Sequence, residues 1–147
     1  TEVDMAAVLK AQFEATGVME ISVKSAEWAT YKNNWKDQLM PVYLLGWYPD
    51  YIDPDNYTAS FAGTAGSRGN GIYFSDPKWD AMFVEAQKDP NEKNRGVIYK
   101  KIQQMWTDEV PTAPIFQGKL YMFAQKDISG IMISPTLQFI YAPIEKK

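Results

Sequence analysis

The run "PVYLLGW" at 41–47 constrains the fold of this chain more than any other stretch. A short, continuous apolar segment bounded by turn formers marks a strand buried on both faces, and such strands lie in sheets covered by helices. The stretch before it, about 26–38, carries Trp28, Tyr31, Trp35 and then Leu39 at helical spacing. Earlier still, "VMEISVKS" (18–25) alternates Met19, Ile21 and Val23 against Val18, Glu20, Ser22 and Lys24. That is the period of a strand with one apolar face. Strand, helix and strand within about thirty residues make a βαβ unit, whose crossover is expected to be right-handed.

The rest of the chain continues the alternation. Met5, Val8, Leu9, Gln12 and Phe13 share one helical face, and Gly17 stops that helix. Residues 48–74 read as a long loop, because "PDYIDPDN" and "GTAGSRGNG" are dense in turn formers. Ser75 is placed to N-cap a helix carrying Pro77 early and Trp79, Met82 and Phe83 on one face. Asp89-Pro90 breaks the chain. A longer helix over about 91–108 presents Ile98, Ile102 and Met105, with Val97 and Trp106 alongside. "TAPIFQGKLYMFAQ" (112–125) reads as two strands meeting near Gln117-Gly118, and "LQFIYAPI" (137–144) as a last strand before a solvated tail. Alternating strands and helices indicate the α/β class. The opening "TEVDMAAVLK" reads as the middle of such a pattern, so the chain is expected to be a piece of a longer protein.

Composition narrows the chemistry. The 147 residues contain no cysteine and no histidine, which removes thiolate nucleophiles, Cys/His zinc sites and Ser-His-Asp triads. A net charge of −3 gives no electrostatic reason to expect nucleic acid as a partner. Aromatic residues make up 14% of the chain, enough to line a pocket as well as fill a core. The glycine-rich stretch lacks the Lys-Ser/Thr of a phosphate loop, since Ile72-Tyr73 follows Gly71, and no motif requires a cofactor. Asp50, Asp53 and Asp55 cluster as calcium ligands do, yet an EF-hand loop beginning at Asp50 would need Gly and Glu where Asp55 and Phe61 stand. The same acids could serve a carboxylate-dependent hydrolase, although no partner acid is marked elsewhere. Asp53-Pro54-Asp55-Asn56 also reads as capping chemistry, Asx side chains beside a proline that shape a turn and start a helix.

Four motifs in register carry a resemblance: "EWATY" (27–31), "GWYPDYIDPDNY" (46–57), a Tyr before a Pro-containing helix, and "RGVIYKKIQQMWTDEVPTAPIF" (95–116). Together they resemble the C-terminal part of the extracytoplasmic solute-binding proteins of peptide-type ABC importers, the dipeptide/oligopeptide-binding family. The resemblance implies one lobe of a two-lobed periplasmic-binding-protein fold, a mixed sheet flanked by helices. It implies residues 1–117 as part of a ligand-binding lobe and 118–147 as a segment returning to the other lobe. It implies no catalysis, capture of an extended peptide between the lobes, and delivery to permease subunits. The protein would then be periplasmic, or anchored at the cell surface as a lipoprotein.

By the same resemblance, the backbone groups of Gly46 and Tyr48 would pair with the peptide main chain, Asp50 with its α-ammonium, and Trp47 and Trp28 would line side-chain pockets. Trp28 reads equally as a helix residue packed on the sheet. Several peptide binders carry a basic residue for the ligand carboxylate, whereas Trp35 and Leu44 hold the matching positions here. An oligosaccharide ligand on the same scaffold is therefore the alternative to a peptide.

Overall fold

Capping chemistry decides where the helices of this protein begin. The computed structural model describes residues 2–147 and divides into two compact units, Thr1–Gly46 and Trp47–Lys147.

In the first unit, α1 (Glu2–Glu14) is followed by an irregular segment and then by α2 (Trp28–Lys36). Glu27 caps α2, its carboxylate accepting from the Ala29 N–H at 2.9 Å. The expected strand at 18–25 forms no ladder. Its main chain is instead held by side chains of α1. Glu14 accepts from the Ile21 N–H at 2.9 Å, and Lys10 donates to the Ile21 carbonyl. The Lys10 ammonium also holds the Glu14 carboxyl below its ordinary range, with the Ile21 N–H adding to the effect. Residues 41–47 likewise form no ladder, so the sequence-derived βαβ pairing is not formed among the described residues. Tyr31 Oη donates to the Leu44 carbonyl at 2.7 Å and ties this segment to α2, and Trp35 is the buried aromatic of the unit.

The second unit corrects the expected loop at 48–74. Two helices occupy much of it, α3 (Pro54–Ala62) and α4 (Thr64–Gly69). Asp53 N-caps α3 and Pro54 takes its first turn, where a missing N–H costs nothing. At the break between α3 and α4 stands Gly63, where a Cβ would lie 2.7 Å from the Ala59 carbonyl oxygen and only glycine fits without a shift. Asp80 supplies the cap that α4 lacks locally, accepting from the Thr64 N–H at 2.8 Å and its hydroxyl at 2.6 Å. Helix α5 (Pro77–Lys88) is capped by Asp76 rather than Ser75. Helix α6 (Glu92–Glu109) starts at Asn91, within a residue of the expected position.

The core of this unit forms where α3, α5 and α6 meet: Ala62, Trp79, Phe83, Ala86, Ile98, Tyr99 and Ile102. Trp79 is fully buried, edge-on to Phe74 and Trp106 at 5.3 and 5.7 Å. Past α6 the chain is mostly irregular. The two strands expected within 112–125 are absent as ladders, and the last strand shrinks to two residues. What pairs are two short antiparallel ladders, β1 (Ile128–Ser129) with β4 (Glu145–Lys146), and β2 (Met132–Ile133) with β3 (Phe139–Ile140). The solvated tail expected at 145–147 thus contributes β4.

Candidate ligand-binding segment

Residues 46–56 concentrate the expected site, and Asn56 organises them. Asn56 lies in the first turn of α3 and is only 3% exposed. Its Oδ1 accepts from Trp47 Nε1 at 3.1 Å and from the Asp50 main-chain N–H at 3.1 Å. The Trp47 indole is half-buried and meets Phe61 edge-to-face at 4.9 Å. One amide oxygen therefore fixes the indole and the acid-bearing turn together.

Each expected residue has a definite place. The Asp50 side chain is exposed, and within its unit its carboxylate forms no hydrogen bond or ion pair. Tyr48 is 69% exposed. No main-chain hydrogen bond joins 46–49 to another described residue. A Cβ built on Gly46 meets nothing within 4 Å, so internal packing does not demand a glycine there and its backbone stands open. Trp28 opens α2 in the first unit, 54% exposed, stacked on Tyr31 at 6.1 Å, with the Lys32 ammonium 5.5 Å from its ring. It is therefore not a core residue of its own unit. In the second unit Trp47 and Asp50 are joined through Asn56, with Tyr48 between them in the chain. Gly46 and Trp28 belong to the first unit.

The other two acids do different work. Asp53 Oδ1 accepts from the Asp55 N–H at 2.9 Å, and its two oxygens take Arg95 Nη2 at 2.6 and 2.7 Å. Arg95 Nε also donates to the Ala86 carbonyl at 2.9 Å. Burial alone would raise the Asp53 pKa. Arg95 and the Asp55 N–H outweigh it and hold the carboxyl below its ordinary value. The hydrogen bonds to Asp53 in turn push the Arg95 guanidinium further up. Asp55 accepts from Tyr51 Oη at 2.6 Å and from Gln87 Nε2 at 2.8 Å. Among the described residues no group of three or more acids could hold a metal ion. Two structural residues were missed in the sequence. Asn56 looked like one turn former among several, and Arg95, forty-two positions from Asp53, has no local signal.

Residues 1–69 match the family model of bacterial extracellular solute-binding proteins, family 5, middle. A dipeptide-binding protein of Pseudomonas aeruginosa is 28% identical over 132 residues, covering 89% of this chain and 25% of the relative. The chain is similar to the family 5 solute-binding proteins. A heme-binding protein A of Haemophilus influenzae is 26% identical over 89% of this chain and 24% of that protein. The crystal structure of a dipeptide-binding protein from Pseudoalteromonas sp. SM9913 in complex with Met-Leu superimposes with a TM-score of 0.86 and 25% identity, over 98% of this chain and 29% of that one. The fold is that of part of a periplasmic-type peptide-binding protein. The chain spans about a quarter of the length of the curated relatives it matches. Among the described residues no helix is long and apolar enough to cross a membrane.

Proposed function

We propose that this chain is the C-terminal part of the substrate-binding component of an ABC importer, a protein outside the cytoplasmic membrane that captures an extended peptide and passes it to a membrane permease. The observation that carries this reading is the turn at 46–50. Its main chain is unpaired over 46–49, one indole is clamped beside it, and one exposed carboxylate is left unpartnered within its unit. Open main chain pairs with a peptide of any sequence, as in strand addition. A carboxylate at the end of that stretch suits an α-ammonium, while Trp47 and Trp28 offer faces for varied side chains. The role is binding, not catalysis. Residues 118–147 belong with the other lobe of the intact protein. Support for that comes from the bare apolar stretch before them and into them, where Phe116, Tyr121 and Phe123 are 67%, 71% and 94% exposed.

The test is calorimetry on the intact protein with dipeptides, their N-acetylated forms, longer peptides and xylo-oligosaccharides. Free-amine peptides are expected to bind. Asp50→Asn is expected to weaken them by about 3 kcal/mol, roughly a hundredfold, the usual scale for removing one partner of an enclosed charge pair. Acetylation of the peptide should weaken binding to a similar extent. Equal binding by wild type and Asp50→Asn would overturn the ammonium assignment, and a response to sugars alone would overturn the peptide.

A further inference from the structure

We infer that Asn56 is a positioning residue that sets the affinity of this site through Asp50 and Trp47; the inference rests on the ligand reading above. The geometry is that of a fixed acceptor. Trp47 Nε1 and the Asp50 main-chain nitrogen can only donate, and both converge on one oxygen at 3.1 Å, which must therefore be the carbonyl side of the amide. The two lone pairs of Oδ1 are then fully used. Asn56 is itself immobilised. It is buried, it sits in the first turn of α3, and the N-cap of that helix, Asp53, is gripped by Arg95, which is anchored in turn to the end of α5 through Ala86. A run of contacts from α6 thus reaches the site through Asp53, α3 and Asn56. The exposed Asp50 carboxylate gets its direction from a main chain pinned at its own N–H, not from side-chain partners. Pinning removes rotamer and backbone freedom before a ligand arrives, and pre-organisation of that kind lowers the cost of binding.

The test uses the intact protein, with Asn56→Ala, Asn56→Asp and Asp50→Asn singly and Asn56→Ala combined with Asp50→Asn. Titrations use a free-amine dipeptide, and ¹H–¹⁵N spectra follow the Trp47 indole N–H. Asn56→Ala is expected to weaken the dipeptide about tenfold, since two donors lose their acceptor. It should also shift the indole resonance upfield. Asn56→Asp keeps an acceptor oxygen and should bind within about threefold of wild type. In the Asp50→Asn background the alanine effect should shrink to about twofold, the mark of action through Asp50. Asn56→Ser repeats the measurement should the alanine variant fail to fold. Wild-type affinity in Asn56→Ala beside a weakened Asp50→Asn overturns the inference alone, as does an equal loss from Asn56→Ala in both backgrounds with the Trp47 indole resonance unmoved. An Asp50→Asn variant that binds as wild type overturns the ligand reading and this inference together.

Discussion

Replacing Trp79 by phenylalanine probes the core that carries the α3 platform. Trp79 is fully buried, and its Nε1 donates to Glu109 Oε2 at 3.0 Å. Its ring touches Phe74 and Trp106 edge-on and lies tilted to Phe83 at 6.2 Å. Phenylalanine keeps an aromatic face but removes about three ring atoms, at roughly 0.8 kcal/mol for each buried carbon, or about 2 kcal/mol in all. The lost hydrogen bond adds about 1 kcal/mol. Glu109 is exposed at the end of α6, so water takes its freed carboxylate and little further penalty arises. The expected loss is about 3 kcal/mol, read from urea titration and from amide exchange in α5 and α6. The mirror variant separates the two contributions. Glu109→Gln retains an acceptor and should cost under about 0.5 kcal/mol, whereas Glu109→Ala strands a buried indole N–H and should cost about 1–3 kcal/mol. A Trp79→Phe protein within about 0.5 kcal/mol of wild type, with exchange in α5 and α6 unchanged, would refute the assignment of this ring as the centre of the core.

Two further outcomes follow from the same contacts. The Asp53 carboxyl titrates below its ordinary value when folded, so its contribution is present above the unfolded pKa, about 3.9, and is lost as pH falls through the folded value. Acid titration by circular dichroism should show stability falling below about pH 4, with a flatter slope in Asp53→Asn, which keeps the cap oxygen but not the charge; an unchanged slope would refute the Arg95 pairing as its source. Gly130 has φ of +75° and its α-carbon faces the Pro143 carbonyl, so Gly130→Ala must both strain the backbone and displace that carbonyl. Loss of amide protection in β1 and β4 is expected, and intact protection would show that the ladder tolerates the shift.

The helices were largely legible because their signals are local. Asn91 with the Ile98, Ile102 and Met105 face of α6, and Pro77 with the Trp79 and Phe83 face of α5, appear in the structure close to where their spacing places them. The expected loop at 48–74 failed for a physical reason. Asp, Asn, Pro and Gly build turns, but Asp and Pro also start helices, and which use prevails depends on tertiary partners. Here Arg95 grips the Asp53 cap and Asp80 caps α4 from a neighbouring helix. The strands expected at 18–25 and 41–47 do not form. Alternation reports which face is apolar, and a ladder needs a partner that periodicity does not name.

Sequence alone therefore settled the residue chemistry. It excluded Cys and His mechanisms, carried the motifs around Gly46-Trp47 and Asp50 that resemble a known family, and gave the faces of the long helices. Only the tertiary structure sorted three neighbouring aspartates into one exposed carboxylate, one guanidinium-bound cap and one partner of Tyr51 and Gln87. The reason is distance along the chain. Arg95 and Gln87 lie more than thirty residues from the acids they hold, and folding alone brings them there.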